Sequence, residues 1–249
     1  MLKKRLIPQL LVDNKKLLKT HKYSHPRYLG DPLNAVSIFN EKKADEIIII
    51  DINNDRENPY PDYNYISKLA SECFMPFGYG GKINSLDTAK RIFDLGIEKV
   101  VIQSAAFNNP KIISDIAKIY GSQSVVVSLD FKKNIFGNYN LFCKKLNLKN
   151  KSEFSMYLNN FINEGAGEIL VNSVDLEGTF KGLDLNLLKK IKELCNVPVL
   201  INGGLNNINN ANNAFAVGAD GVVGGSFFVY YGKHNAILIT YPNENELFF

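Results

Sequence analysis

The sequence predicts an α/β fold, a (β/α)8 barrel (TIM barrel) built from two half-barrels. Three observations carry that expectation. Eight short apolar runs alternate with longer amphipathic stretches, several of those runs are apolar without interruption, and the second half of the chain repeats the first at a fixed offset. The 249 residues, 45% of them hydrophobic, suffice for one such barrel. No linker-like segment divides them, so residues 1–249 read as a single domain.

The predicted strands cover residues 5–10, 46–50, 75–77, 100–103, 124–129, 169–172, 197–201 and 221–223. Runs such as Ile47-Ile48-Ile49-Ile50 and Val125-Val126-Val127 lack the in–out alternation of a half-exposed strand. Strands of a parallel sheet covered by helices are buried on both faces and read this way. Between them, apolar residues at helical spacing predict helices over 86–95, 112–120, 155–164 and 185–195. Asp31-Pro32 opens another helix, with a capping side chain and then proline in the first turn. The asparagine-rich stretch 206–213 reads as an exposed helix start.

The repeat has an offset of 122 residues, which sets Pro76 on Pro198, Gly81 on Gly203, Ala89 on Ala211 and Phe93 on Phe215. It also matches Gly96 with Gly218, Val100-Val101 with Val222-Val223, Ser104 with Ser226, and Glu46 with Glu168. That period is far longer than any solenoid unit and fits two halves of four βα units each.

Composition excludes several classes. A net charge of +4, from 29 basic and 25 acidic residues spread along the chain, argues against nucleic acid and suits a small anionic substrate. No apolar run is long enough to span a membrane, and the first residues lack a signal-peptide pattern, so a cytoplasmic location is expected. Cys73, Cys143 and Cys195 form no CxxC pair, and His21 and His25 lack ligand spacing, so neither a metal nor a cofactor is expected.

In a (β/α)8 barrel the reactive groups sit at the C-terminal ends of the strands. Each half carries a glycine turn after its third strand, Gly80-Gly81 and Gly203-Gly204, and a hydroxyl after its fourth, Ser104 and Gly225-Ser226. Glycine lets backbone N–H groups approach an anion, so the pattern predicts a phosphate cradle in each half, or else only tight turns. The first cradle has Lys82 where the second has Gly204. Asp130 ends the fifth strand and reads as a general acid or base. Asp51 ends the second strand with a structural or substrate-orienting role. Leu11 aligns with Asp130, so the mouth holds one such carboxylate and not a pair. The connection 13–30 is long and carries Lys15, Lys16, Lys19, Lys22 and Arg27, the makings of a basic lid or of a solvated segment. At the opposite end, Arg5, Glu46, Lys99 and Glu168 fall at or beside strand starts. They are either solvated ends or two opposite-sign pairs closing a ring.

Across nearly its whole length the chain resembles the cyclase subunit of imidazole glycerol phosphate synthase. The carrying segments are Met1-Leu2-Lys3-Lys4-Arg5, Gly30-Asp31-Pro32, Asp45-Glu46 with Asp51-Ile52, and Gly121-Ser122-Gln123-Ser124 leading to Asp130. Further matches are Gly165-Ala166-Gly167-Glu168, Glu177-Gly178-Thr179, Gly203-Gly204 and Ala216-Val217-Gly218-Ala219-Asp220. The resemblance implies a glutaminase partner at the bottom face, ammonia passing through the barrel, and a phosphorylated substrate at the top. It makes Arg5, Glu46, Lys99 and Glu168 a charged gate, Lys19 the lid lysine and Asp130 one catalytic aspartate. Gly204, Gly225 and Ser226 become a phosphate site, and Glu177 and Gly178 join the substrate site.

The chain departs from that pattern at Leu11, in place of the second catalytic aspartate, and at Lys82, Gln103, Asn172 and Asn202. The tail 225–234 resembles the branch of the family linked to sugar amidation in surface polysaccharides. Three readings follow: a paralogue delivering ammonia to a sugar-amidating ligase, a true cyclase of histidine biosynthesis, or a non-catalytic scaffold that switches on a glutaminase.

Overall fold

The computed structural model describes residues 3–53, 55, 57–143, 146 and 154–242, so Met1 and Leu2 of the N-terminal match lie outside the described residues. Eight parallel strands close into a barrel: β1 (Arg5–Asp13), β4 (Ile47–Asp51), β5 (Phe77–Gly80), β6 (Lys99–Ile102), β7 (Val125–Lys133), β9 (Glu168–Ser173), β10 (Val199–Asn202) and β11 (Gly221–Gly224). Parallel pairing of β11 with β1, Arg5 opposite Gly221, seals it. Around it lie α1 (Pro32–Glu41), α2 (Tyr63–Glu72), α3 (Leu86–Phe93), α4 (Ser104–Asn108), α5 (Lys111–Tyr120), α6 (Phe154–Asn163), α7 (Leu185–Lys192), α8 (Ile208–Val217) and α9 (Ser226–Val229). Three antiparallel strands were not predicted. β2 (Lys16–His21) and β3 (Ser24–Gly30) extend β1, and β8 (Tyr139–Phe142) extends β7. A small pair, β12 (Tyr230–Tyr231) and β13 (Ala236–Ile237), follows α9.

The uninterrupted apolar runs have the cause expected of them. Val125, Val127 and Leu129 face the helices, while Val126 points into the barrel. The lumen there is aliphatic: Ile7, Ile48, Val101, Val126, Leu170, Leu200 and Val223 form one buried layer, joined by Ile50. Each such side chain contributes about 1.5–3 kcal/mol relative to an exposed one, so Val126→Asp would break both the layer and the fold. Strand β5 supplies glycines instead: a Cβ on Gly80 would come within 2.7 Å of Ile50 Cδ1 and 2.9 Å of the Val101 carbonyl.

Five of the helices, α1, α2, α3, α7 and α8, start where a side chain caps them. Asp31 accepts from the Leu33 N–H at 2.7 Å ahead of Pro32, and Asn207 accepts from the Asn210 N–H at 2.8 Å, which places the asparagine-rich stretch at the head of α8. The repeat holds in three dimensions: β5 and β10 begin at Phe77 and Val199, β6 and β11 at Lys99 and Gly221, each pair at the 122-residue offset. No helix of the described residues is long and apolar enough to cross a membrane.

Candidate active site and charged ring

Above the aliphatic layer the inward positions turn polar, and almost entirely in the second half. Asn202 donates to Gln9 Oε1 at 2.7 Å and to Asn172 Oδ1 at 2.8 Å. Asn172 in turn donates to Ser128 Oγ at 2.9 Å and to Asp130 Oδ1 at 2.8 Å. Burial pushes the Asp130 carboxyl above the usual carboxylate range, against hydrogen bonds from Gln103, Asn172 and Tyr23 that favour its charged form. A carboxyl held this way is suited to exchanging protons nearer neutral pH. At the matching places in the first half stand Leu11, Ile50 and Gly80, none with a polar side chain.

The long connection after β1 is not a loop. It is the β2–β3 hairpin, with Lys22 and Tyr23 at its tip in the left-handed region, φ 52° and 60°. The tip is folded down over the mouth: the Lys22 N–H donates to the Glu177 carbonyl at 3.0 Å, and the Tyr23 N–H to Glu177 Oε2 at 3.1 Å. The Tyr23 hydroxyl donates to Asp130 Oδ1 at 3.0 Å. Burial and the Asp130 charge push the Tyr23 phenol well above its ordinary value, so it stays a donor. Lys19 Nζ contacts Glu177 Oε1 and donates to the Thr20 carbonyl at 2.9 Å. Burial pulls the Lys19 ammonium down to about 7. Two glycines seat the hairpin. A Cβ on Gly178 would come 2.8 Å from the Thr20 carbonyl, and one on Gly225 would come 2.9 Å from Lys19 Cε.

A basic lid is therefore only partly what forms. Of the five cationic residues in the connection, Lys19 alone is buried. Lys15 pairs with Asp62 at the surface, 3.1 Å away, and Arg27 lies over the Tyr230 ring.

In the second half the predicted residues come together around one cavity. A small cavity of about 30 Å3 is lined by Lys19, Glu177, Gly178, Gly203, Gly204, Gly225 and Ser226, with Leu11 and Tyr23 on its wall. Asp130 is absent from that lining, because Tyr23 holds its hydroxyl against the carboxylate. In the first half the predicted residues are not brought together. Gly81 repeats the geometry of Gly203, since a Cβ on either would lie 2.5 Å from a carbonyl, of Asp51 and Ser173 respectively. Lys82, at φ 56°, instead lines a cleft of about 390 Å3 with Asp51, Tyr79 and Arg91, whose walls include neither Gly81 nor Ser104. Burial raises the Asp51 carboxyl above its ordinary value, while the Asn53 N–H, Lys82 and the Tyr79 hydroxyl pull it back.

At the other end of the barrel the four charges close a ring. Arg5 bonds Glu46 at 2.5 Å and Glu168 at 2.7 Å; Lys99 bonds Glu46 at 3.0 Å and Glu168 at 3.0 Å. Burial alone would lower the Arg5 guanidinium, but Glu168 and Glu46 outweigh it and hold it above its ordinary value. The two acids are repeat partners, whereas both cations come from the first half. An open cleft of about 660 Å3 beside the ring is lined by Lys3, Phe93, Ile97, Tyr120 and Gln123 among others. Among the described residues, no group of three or more His, Cys, Asp and Glu side chains could hold a metal ion.

Sequence reasoning missed Tyr23 and Gln9 as mouth residues. Gln9 was legible in principle, two residues from Leu11 on the same face of a strand. Tyr23 left no local signal.

The family model described as "Histidine biosynthesis protein" matches residues 5–235 of the chain. The chain belongs to this family. Among its relatives, a "Putative imidazole glycerol phosphate synthase subunit HisF" of Leptospira interrogans is 47% identical over 248 residues, covering 99% of this chain and 98% of that protein. A "Putative imidazole glycerol phosphate synthase subunit hisF2" of Pseudomonas aeruginosa is 42% identical, covering 99% of both chains. An "Imidazole glycerol phosphate synthase subunit HisF" of Exiguobacterium sibiricum is 33% identical over 228 residues, covering 92% of this chain and 91% of that protein. The chain is thus a HisF-like barrel, more similar to numbered and provisionally named HisF relatives than to that HisF. The mouth of this barrel is half apolar, with Leu11 at the place related to Asp130.

Proposed function

We propose that this HisF-like barrel, acting as one domain, receives ammonia from a glutaminase docked at the face bearing the Arg5–Glu46–Lys99–Glu168 ring. It passes the ammonia up the lumen for amidation of a sugar by a separate ligase, with little or no cyclisation of its own. The observation that carries this reading is Leu11 at the place related to Asp130. Leucine neither gives nor accepts a proton, and loss of one positioned acid or base typically removes about 10²–10⁴-fold in rate. An aliphatic layer offers ammonia no hydrogen-bonding partner to hold it back, and the amides of Gln9, Asn172 and Asn202 receive it above. The higher identity to relatives such as hisF2 agrees with a paralogous role.

A second reading, a genuine cyclase of histidine biosynthesis, is favoured by Asp130, Lys19 and the second-half cradle standing around one mouth. One experiment separates the two. The purified chain is supplied with ammonium salt, or with its glutaminase and glutamine, and with the bisphosphorylated ribonucleotide of the histidine pathway. The proposal expects no imidazole glycerol phosphate above a trace. Its formation at an ordinary enzymatic rate, with kcat near 1 s⁻¹ or above, on the order of typical enzymes, would overturn it.

A further inference from the structure

The two halves differ at the cradle in most of the groups that would hold an anion, although Gly81 and Ser104 match Gly203 and Ser226. The second-half cavity is rimmed by Gly203, Gly204, Gly224 and Gly225. The 122-residue offset puts Gly81, Lys82, Ile102 and Gln103 at the matching places, so three of four glycines are replaced by side chains. Each of those side chains has gone elsewhere. Ile102 is 2% exposed in the core, Lys82 lines the separate cleft with Asp51, and Gln103 turns its amide to Asp130.

The cation is replaced as well. Lys19 reaches the second cradle from the hairpin in which Leu18 pairs with Leu11, and its stem lies on Gly225. In the other half Phe142 pairs with Asp130, so the next residue, Cys143, stands where Lys19 does. Its Sγ lies 3.8 Å from Gln103 Oε1, the side chain that matches Gly225. The contact of Lys19 with Gly225 has become a contact of Cys143 with Gln103, and a thiol, unlike an amine, carries no positive charge in either protonation state.

The second cradle, by contrast, holds a polar group with nothing to bond. Ser226 Oγ is buried with no hydrogen-bond partner among the described residues, on a residue only 6% exposed. A buried hydroxyl left unpaired is costly, and a bound anion would satisfy it.

We infer that this chain takes a phosphomonoester, a ligand with a single phosphate, held by Gly203-Gly204, Gly225-Ser226 and Lys19, and not a ligand phosphorylated at both ends. The body of the ligand meets Leu11, Phe180 and Phe227 on the same cavity wall. This rests on the second-half turn being the anion site of the proposed function, but not on the glutaminase or on ammonia.

The test is a calorimetric titration of the full chain with inorganic phosphate, without glutaminase. One phosphate per chain is expected. Ser226→Asp, which sets a carboxylate in the cradle, should weaken binding at least about tenfold, the scale of one hydrogen bond to a charged group. The double variant Lys82→Ala/Ser104→Ala should leave affinity within a factor of about two, the scale of a remote surface change. Circular dichroism establishes that Ser226→Asp is folded; should it not be, Lys19→Met carries the same expected loss. Two phosphates per chain, no binding at all, or binding lost in the Lys82/Ser104 variant and kept in the others would overturn the inference. Absence of ammonia transfer would leave these titrations untouched.

Discussion

Leu11 and Asp130 occupy one place in the two halves of the barrel. Leu11 pairs with Ile50, Asp130 pairs with Asn172, and Ile50 and Asn172 are related by the 122-residue offset. Leu11 and Asp130 are themselves 119 residues apart, because the second half is three residues longer between the two strands. The strand register, taken with the repeat offset, thus places a leucine at the position where symmetry calls for a carboxylate.

Asp130→Asn should change the dependence of stability on pH. Below the unfolded-chain value of about 3.9 both states are protonated and burial carries no charge penalty. As pH rises through the raised folded value the buried carboxylate ionises, and the stability present at acid pH is lost. The asparagine variant escapes that loss and still offers an acceptor to Tyr23. Its melting temperature relative to the parent should climb from acid to neutral pH; a difference flat across the range would contradict a buried charge.

Lys99→Ala opens the ring while Arg5 still bridges both acids. A stability cost of about 2 kcal/mol is expected, the scale of hydrogen bonds to charged groups, read from a urea melt. In the complex with a glutaminase, amination driven by glutamine should fall relative to glutamine hydrolysis, while amination driven by added ammonia persists. Unchanged coupling would remove the ring from the ammonia path.

Gly178→Ala should lift the hairpin. At φ 76° a side chain is strained, and its Cβ would press on the Thr20 carbonyl. The expected cost is about 1–3 kcal/mol, with the Tyr23–Asp130 contact released. Amide exchange at Lys22 and Tyr23 should quicken well before global unfolding; protection equal to the parent would show that the hairpin is held by other means.

All eight barrel strands were legible, most to within two residues at an end, because burial on both faces writes uninterrupted apolar runs. For strand β5 the sequence predicts 75–77, and the strand runs over Phe77–Gly80. Its glycines carry no strand propensity, yet at Gly80 Ile50 and Val101 leave no room for a Cβ. The sequence reads the hairpin as a long connection without strands of its own. Its strands, Lys16–His21 and Ser24–Gly30, are largely polar, and their pairing partners are each other and β1, not the core.

The candidate site divides along the same line. Glycine turns, the aspartate at a strand end and the loss of its partner at Leu11 are set by local spacing and by the repeat, and the sequence alone determined them. So did the presence of four charges at strand starts. Whether those charges meet, that Lys19 crosses to Glu177, that Tyr23 covers Asp130, and that Gln103 and Lys82 abandon the first cradle were decided by tertiary structure. These contacts join residues far apart along the chain. Their geometry comes from barrel closure and from where a hairpin tip lands, which no local periodicity encodes.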